Sequence, residues 1–446
     1  MMSQGQGAVN CATQGVIERE GQAGKIPNAA KNLVIIGGGF AGVALAKRLE
    51  KTMPKEWEIY LLSKTNFITY NPLLPEVIGA SILPGHVQAP VRLMLKRTRI
   101  RMVTVDSIDY QAGVIHYHND QQGSLKFDQL VHASGVQANM DMLPGLREHT
   151  LPLKTVGDAL HIRNQVIERL EQATIHPDDA RRRELTSFVI LGGGFSGVET
   201  AGELEDFLRS AQRYYKNVDI EDCTVTLIHG TDRILPELPA KLSAKTLDNF
   251  TKRNIKVMLN ERAERLEKEQ VILKSGKVIH GATIICTIGT TPNAFIKTTL
   301  LPSERGKLVT RPDMSIDAFS GLWAMGDCAL VPNRQSAGPC PPTAQFANQQ
   351  AKVLAKNIVA NINHKPTIEF SYKPLGMLAS IGHNKAVAQI FGMQFSGIIG
   401  FMMWRGVYLL KVPTVARKVR LFLEWNWAMF FPPDIAHLGF KRSSDD

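Results

Sequence analysis

The chain has 446 residues, which is too long for one ordinary hydrophobic core and predicts two or three domains. Its 44% hydrophobic and 21% charged residues, with a mean hydropathy of -0.08, are typical of a globular protein and argue against a polytopic membrane protein. The formal net charge of +11 attracts nucleic acid, anionic lipid and phosphate-bearing cofactors alike. No nucleic-acid-binding motif accompanies that charge, so we expect no nucleic-acid partner.

Neither the N-terminal residues nor the cysteines predict a functional site. Residues 1–31 are rich in Gly, Gln and Ala and lack the apolar stretch of a signal peptide, so we predict a disordered tail. The five cysteines are widely spaced, and no pair forms a C-x-x-C motif. We therefore predict no metal site and no disulfide scaffold from Cys11, Cys223, Cys286, Cys328 and Cys340.

An internal repeat is the most informative feature of the sequence. Its first copy begins with the apolar run Leu33–Ile36 and continues into the glycine-rich turn Gly37–Gly42. A helical stretch to about Glu50 and the strand-like run Glu58–Leu62 complete it. This copy is therefore predicted to be a strand, a G-x-G-x-x-G turn, a helix and a strand.

The second copy repeats this order from Phe188, with the turn Gly192–Gly197, a helix to about Tyr214 and the strand Thr224–Ile228. The first glycine permits the tight turn, the second lets the backbone approach a pyrophosphate, and the third lets helix pack on strand. Unpaired N–H groups and the helix dipole then attract phosphate. Such a turn can also simply join a strand to a helix, but two copies in correct context favour two dinucleotide sites.

Further glycine turns follow other predicted strands. The run Gly321–Ala329 contains a strand that ends at Gly326 and Asp327. A carboxylate at this strand end can accept hydrogen bonds from a ribityl chain, which favours FAD at the first copy. Asp327 alone would equally fit a helix N-cap. Similar turns are Ser134-Gly135, after Leu130–Ala133, and Gly289, after Thr283–Ile288.

These elements predict an α/β protein with two Rossmann-like dinucleotide-binding domains, one inserted in the other. We assign residues 32–150 and 300–375 to a discontinuous FAD-binding domain, and residues 151–299 to an NAD(P)H-binding domain. Residues 376–446 form a predicted C-terminal membrane-association region. A cleft between the two dinucleotide domains would bring the reacting rings face to face.

With these features the chain resembles the type II (non-electrogenic) NADH:quinone oxidoreductases, from about Leu33 to Phe431. Besides both glycine turns, Asn71–Glu76 is similar to the family's segment beside the flavin. The run Ala344–Gln349 (AQFANQ) fits the family's A-Q-x-A-x-Q element, which separates quinone-reducing enzymes from many other two-dinucleotide flavoproteins.

The resemblance implies roles for several residues. Ala344 and Gln345 would lie against FAD, Gln345 and Gln349 would face quinone, and Glu199 would lie near the nicotinamide and flavin. Independently, Gln345 and Gln349 share a helix face at i, i+4 spacing, although an ordinary solvated face is an alternative. Glu199 would either serve the reaction, through a nicotinamide hydrogen bond or proton relay, or merely complement the helix dipole.

Two positions depart from the usual acidic residue that binds ribose hydroxyls at the end of the second strand. The first copy has Ser63, followed by Lys64, and the second has His229, with Arg233 nearby. Ser63 can still accept a hydrogen bond. Without a carboxylate at position 229, discrimination against a 2′-phosphate weakens, so we predict that NADPH is tolerated alongside NADH, with Arg233 as the phosphate partner. His229 as a plain surface residue is the alternative.

The predicted site comprises three groups of residues. The catalytic residues are Glu199, Gln345 and Gln349. The FAD-binding residues are Gly37, Gly39, Phe40, Ala41, Gly42, Ser63, Lys64, Ser134, Gly135, Gly326, Asp327, Ala344 and Gln345. The NAD(P)H-binding residues are Gly192, Gly194, Phe195, Ser196, Gly197, Glu199, His229 and Gly289.

The segment after Phe395 predicts attachment to a membrane surface. An apolar run to Trp404 is interrupted by Arg405 too early to span a bilayer. Residues 415–431 form an amphipathic helix, and aromatic and basic side chains suit the lipid interface. These comprise Trp404, Tyr408, Trp425, Trp427, Lys411, Arg417, Lys418 and Arg420. Alternatively, the segment packs on the core or forms a dimer interface; both arrangements are compatible, and we expect a homodimer.

The predicted function is therefore an FAD-dependent NAD(P)H:quinone oxidoreductase that passes electrons to a membrane quinone without pumping protons. We expect a peripheral protein on the cytoplasmic face of the inner or plasma membrane, or on an organelle inner membrane. The alternatives are a soluble ferredoxin- or rubredoxin-type reductase and a low-turnover membrane-associated flavin sensor.

Overall fold

The computed structural model describes residues 31–297, 299–336 and 338–438. Apart from Lys31, the predicted tail 1–31 lies outside these residues; Lys31 begins the first strand, so that boundary was wrong by one residue. The α-helices of the described residues are α1 Phe40–Thr52, α2 Leu74–Ile78, α3 Leu146–His149, α4 Val156–Ile175, α5 Asp179–Leu185, α6 Phe195–Ala211, α7 Ala240–Lys252, α8 Ala294–Lys297, α9 Ala344–Ile362, α10 Gly397–Lys411 and α11 Val415–Phe430.

A five-stranded parallel sheet contains the first glycine-rich turn. Four of its strands are apolar and mostly buried because helices and other elements cover both faces, whereas the edge strand Arg99–Met102 contains two arginines and is partly exposed. In spatial order they are Leu322–Ala324, Gln129–His132, Lys31–Ile36, Trp57–Ser63 and Arg99–Met102. The strand before Gly326 thus joins this sheet although the second sheet intervenes in the sequence.

The second glycine-rich turn belongs to another five-stranded parallel sheet. Its strands, in spatial order, are Leu151–Pro152, Thr283–Cys286, Ser187–Leu191, Thr224–Ile228 and Ile255–Met258. The alternation of parallel strands with helices confirms the predicted α/β class. The exact domain boundaries stay a prediction.

Smaller antiparallel sheets and ribbons complete the fold. They comprise Thr104–Asp109 with Val114–His118 and Gln122–Lys126; Ala263–Glu267 with Gln270–Leu273 and Val278–His280; Phe67–Thr69 with Gln88–Pro90; and Val136–Ala138 with Thr290–Pro292. In a further three-stranded sheet, Lys307–Val309 pairs antiparallel with Ser303–Glu304 and parallel with Ala329–Leu330.

The C-terminal region begins with a sheet that the sequence analysis did not predict. Strands Gly376–Ser380, Ala386–Ile390 and Met393–Ser396 form an antiparallel meander before α10. This sheet packs on α6, because Gly202 leaves room for the backbone of Ile381. The C-terminal region therefore contacts the helix that follows the second glycine turn.

Helices α10 and α11 have one buried and one exposed apolar side. Trp404 and Trp425 are only 1% and 2% exposed and pack together, with ring centroids 5.8 Å apart. The prediction that these two residues lie at a lipid interface was therefore wrong, whereas Trp427 is 62% exposed. Among the helices that the structure describes, none has the length and apolarity needed to cross a bilayer.

Candidate active site

The first glycine-rich turn is closed on one side and open on the other. Gly37 has a φ of 119°, and a Cβ there would overlap the carbonyl of Ala133. A Cβ on Gly42 would overlap the carbonyl of Gly37, so helix and strand can approach closely only without side chains. A Cβ on Gly39 would meet no described atom within 4 Å. The turn thus presents a free backbone face at the start of α1.

The second turn repeats this geometry. Gly192 has a φ of 111°, a Cβ on Gly197 would overlap the carbonyl of Gly192, and Gly194 faces open space among the described residues. Phe195 and Ser196 open α6 directly after it. At the neighbouring strand end, Gly289 has a φ of 72° and lies against Met142. Both turns therefore have the shape that a dinucleotide pyrophosphate requires.

Three strand ends converge on the first turn. Gly326 has a φ of 73°, and a Cβ there would lie 3.0 Å from the Cβ of Ala41. On the other side, a Cβ on Gly38 would lie against the hydroxyl of Ser63, whereas Lys64 is exposed. The structure therefore brings the predicted residues Ala41, Ser63 and Gly326 together.

Polar groups at these strand ends suit a hydroxylated ligand. The Ser134 hydroxyl is buried beside the Cys328 thiol and makes no hydrogen bond of normal geometry with a described residue. The following Gly135 has a φ of 64° and faces open space. Burial raises the pKa of Asp327, while Lys154 and Lys307 act in the opposite direction. Ser134 and Asp327 are thus a donor and an acceptor that fit a ribityl chain and phosphate.

Helix α9 starts at Ala344, with the Thr343 hydroxyl accepting a hydrogen bond from the Phe346 N–H. The Gln345 side chain donates to the hydroxyl of Tyr372 at 2.6 Å. Gln349 is half-buried, one turn further on. The residue after it, Gln350, was missed in the sequence analysis; it is fully buried and accepts a hydrogen bond from the Gly326 N–H at 2.7 Å.

Glu199 is buried on α6, with 4% of its surface exposed. One carboxylate oxygen accepts a hydrogen bond from the Ser380 N–H at 3.1 Å, so the unpredicted C-terminal sheet holds this side chain. Burial raises the pKa of Glu199 to about 8, although the Ser380 N–H and the Trp404 side chain oppose this rise. The Trp404 indole N–H lies beside Glu199 but makes no hydrogen bond of normal geometry with a described residue.

Two further buried carboxyl groups adjoin Glu199. Glu203 lies one turn further along α6 and accepts a hydrogen bond from the Ser81 hydroxyl at 3.2 Å. Glu76, on α2, is 3% exposed, and burial raises its pKa to about 7. Arg405 is the cation that attracts both Glu76 and Glu203. We call Glu76, Glu199 and Glu203 the carboxyl cluster.

The carboxyl cluster was not predicted as a unit. The i, i+4 spacing of Glu199 and Glu203 was a visible signal that both side chains share one face of α6. Burial by α2 and α10, which come from distant parts of the chain, had no such signal.

His229 is built into the second glycine turn. Its Nδ1 accepts a hydrogen bond from the Gly193 N–H at 3.0 Å, and its Nε2 lies 2.8 Å from the Thr231 hydroxyl. This arrangement requires the neutral ring, and burial lowers the pKa of His229. His229 is therefore not merely a surface residue.

Two arginines lie in the loops beside this turn. Arg233 donates to the carbonyl of Pro236 at 2.9 Å, and its role as the phosphate partner stays a prediction. The exposed Arg262 instead donates through Nε to the carbonyl of Gly230 at 3.3 Å. Among the described residues, Arg262 forms no ion pair with a carboxylate. The exposed acids Asp232 and Glu237 oppose the lowering of the His229 pKa.

Comparison with known proteins identifies two matching families. Residues 31–351 match the pyridine nucleotide-disulphide oxidoreductases, and residues 375–432 match the NDH2 C-terminal domain. The second match covers the unpredicted sheet together with α10 and α11.

Individual proteins agree with this result. A demethylphylloquinone reductase of Synechocystis is 30% identical, over 89% of this chain and 96% of its own length. A type II NADH:quinone oxidoreductase of Mycobacterium tuberculosis is 25% identical, over 90% of this chain and 88% of its own. The structure of NDH2 from Plasmodium falciparum in complex with NADH has the same fold, with a TM-score of 0.84 at 19% identity over 91% of this chain and all of that one.

Proposed function

The chain belongs to the type II NADH:quinone oxidoreductases within the pyridine nucleotide-disulphide oxidoreductases, and on this basis we propose that it oxidises NADH with FAD as cofactor and quinone as acceptor. The observation that carries the proposal is the pair of open glycine turns in one chain, joined to a C-terminal domain of this family. When bound, FAD would accept a hydride from NADH and pass two electrons to quinone.

The first turn and its strand ends would hold FAD. The backbone at Gly39 would receive the pyrophosphate at the positive end of α1. Asp327 would accept hydrogen bonds from the ribityl hydroxyls, and the unpaired Ser134 hydroxyl would donate one. The start of α9, at Ala344, would lie against the flavin ring, as the family resemblance implies. This assignment is supported by the absence of any described side chain above Gly39 and Gly135.

The second turn would hold the nicotinamide nucleotide, with its pyrophosphate at Gly194. His229 is neutral and is hydrogen-bonded within the turn. It therefore carries no negative charge that would repel a 2′-phosphate. We propose that NADPH is also accepted, with Arg262 rather than Arg233 facing the phosphate.

Gln345, Gln349 and Glu199 would serve the quinone. The two amides would orient its carbonyl oxygens, and Tyr372 would fix the Gln345 side chain. Oxidation of NADH by quinone takes up one proton from the medium for each quinol formed. Glu199 is protonated at neutral pH because burial raises its pKa to about 8, so it can donate a proton toward this site. Glu203 and Glu76 would resupply it.

A lipid surface would supply the quinone. Helices α10 and α11 expose a continuous set of apolar side chains, which suits the interface of a bilayer. They are Ile398, Ile399, Met402, Leu410, Val415, Val419, Phe422, Leu423, Trp427, Met429 and Phe430. Lys411, Lys418 and Arg420 lie among them and would face anionic head groups. We propose peripheral attachment by this face; the cytoplasmic side and a homodimer stay predictions.

Anaerobic mixing tests the proposed function. The purified protein should be yellow, its flavin absorbance should bleach on addition of NADH, and the absorbance should return when a short-chain quinone is added. A colourless protein that refuses FAD, or a bleached flavin that quinone does not reoxidise, would contradict the proposal.

A further inference from the structure

Gln350 is a buried amide of α9 that has no role in the proposed function. Its side chain is only 2% exposed, which is unusual for glutamine unless its polar atoms are paired. Its Oε1 accepts a hydrogen bond from the Gly326 N–H at 2.7 Å. A side chain from α9 thus reaches the turn that ends the last strand of the first sheet.

The turn at Gly326 is packed closely against a neighbouring element. Its φ of 73° is in the left-handed region, and a Cβ there would press on the Cβ of Ala41 at 3.0 Å. The turn is therefore placed directly against the first glycine-rich turn, and the next residue is Asp327. A small rotation at Gly326 would move the Asp327 carboxylate away from the ribityl position.

The same glutamine reaches the loop that leads into α9. Its side chain interacts with the Cys340 thiol and opposes the rise in the pKa of that thiol that burial causes. The amide thus contacts both the Gly326 turn and the residues immediately before α9. A side chain that only filled the core would need neither contact.

Helix α9 therefore presents side-chain amides both to the proposed quinone site and to the Gly326 turn. Gln345 and Gln349 share one face, and Gln350 lies about 100° further around the helix. The first pair faces the proposed quinone site, and the third amide holds the Gly326 turn. One rigid helix would therefore set the spacing between quinone and flavin.

We propose, resting on the proposed function above, that Gln350 is a flavin-positioning residue: it holds the Gly326 turn so that Asp327 meets the ribityl chain of FAD. Losing its acceptor oxygen would leave the partly buried Gly326 N–H without its protein partner and let the turn relax. The binding of FAD should weaken more than the overall stability of the fold.

The test compares FAD release from full-length holoenzyme variants. Q350L removes the acceptor, Q350N shortens it by one methylene, and Q350E keeps an acceptor oxygen at the same reach. The matched control is N357L, because Asn357 is another buried amide of α9; it bonds the Asp313 and Ile368 carbonyls at 2.9 and 2.8 Å, away from the turn. Free FAD is followed by its fluorescence after dilution, and the bound flavin by its visible spectrum.

We expect Q350L and Q350N to release FAD about tenfold faster than the unsubstituted protein, with an altered visible spectrum. Q350E should stay within about threefold, and N357L should lower the melting temperature without faster release. Equal release from Q350L and the unsubstituted protein would overturn the proposal, and so would equal release from N357L and Q350L. If Q350L does not fold, Q350N alone decides. An unsubstituted protein without flavin would instead refute the proposed function.

Discussion

The indole N–H of Trp425 lies 3.1 and 2.9 Å from the two carboxylate oxygens of Glu76 and donates to both. This contact ties α11 to the segment that the family resemblance places beside the flavin. Neighbouring contacts strengthen the attachment, because Glu424 accepts a hydrogen bond from the Leu83 N–H at 2.6 Å and pairs with His86. One side of α11 thus serves the active-site region, while its other side is exposed and apolar.

Replacing Trp425 by Phe should destabilise the fold by about 1–3 kcal/mol, because the buried Glu76 carboxyl group loses its donor. The matched control is W427F, since Trp427 is exposed and a change there should stay within about 0.5 kcal/mol. Chemical denaturation of both variants measures the difference. Equal stabilities would show that the Trp425 contact contributes nothing.

Replacing Glu76 by Gln should alter the pH dependence of stability. Burial raises the pKa of the folded carboxyl group from 4.5 to about 7, although Trp425 and Arg405 oppose the rise and Glu424 adds to it. The favourable contribution of this group is therefore complete below pH 4.5 and is lost as the pH rises through about 7.

E76Q carries no such group, so its stability relative to the unsubstituted protein should rise between pH 5 and pH 8, by an amount on the order of 2 kcal/mol. Urea unfolding at several pH values measures it. A difference that does not change with pH would mean that Glu76 ionises as readily in the folded chain as in the unfolded chain.

Glu199 should make reoxidation of the reduced protein by quinone depend on pH. Because burial raises its pKa to about 8, the proton needed by quinone is present below that pH and lost above it. E199Q should slow reoxidation about 100-fold near pH 7 and remove the decline above pH 8. Stopped-flow reoxidation by quinone measures both effects.

The control for this experiment is E168Q, at an exposed position of α4, which should match the unsubstituted protein at every pH. If E199Q slowed flavin reduction by NADH but left reoxidation unchanged, Glu199 would serve the nucleotide rather than the quinone.

Arg262 should affect NADPH alone. We expect the unsubstituted protein to use NADPH with a kcat/KM within about a thousandfold of that for NADH, and R262A to lower the NADPH value about tenfold without changing the NADH value. The matched control is R265A, because Arg265 is a nearby exposed arginine that already pairs with Glu267. A thousandfold or greater preference for NADH, or equal losses for both nucleotides, would contradict the assignment.

The exposed face of α11 should bind lipid. The triple variant F422S/W427S/F430S removes three large exposed apolar side chains and should reduce sedimentation with anionic vesicles by at least about tenfold. I175S/L300S, at exposed apolar positions elsewhere, should sediment normally. Reduction of a water-soluble quinone by the triple variant should persist.

Truncation before Phe395 is a poorer test of membrane attachment than these substitutions. It would also remove Trp404, Leu421 and Trp425, which are buried in the core. Normal vesicle binding by the triple variant would show that this face does not carry the attachment.

Prediction from the sequence worked well wherever a local backbone requirement dictated residue type. Gly37, Gly42, Gly192 and Gly197 occupy positions where a Cβ would overlap a neighbouring carbonyl or side chain, and the pattern itself reports this. The cap of α9 is equally local, because the Thr343 hydroxyl accepts a hydrogen bond from the Phe346 N–H three residues further on. Such features depend on residues a few positions apart.

Prediction failed where burial came from distant segments. Trp404 and Trp427 are both aromatic residues in amphipathic helices, yet Trp404 is buried because it packs against Trp425 of α11, whereas Trp427 lies on the exposed side of α11. The residue that faces a 2′-phosphate is a related case: Arg262, which we propose in place of the predicted Arg233, reaches Gly230 from a loop after another strand.

The amino-acid sequence by itself determined two glycine-rich turns, the succession of strand, turn, helix and strand at each of them, and the family, because each depends on short-range spacing along the chain. Tertiary structure alone decided the raised pKa values of Glu76 and Glu199, the sheet that holds Glu199 and the amide that bonds Gly326. These depend on desolvation and on hydrogen bonds between segments far apart in the chain, and no local pattern encodes the water that such packing excludes.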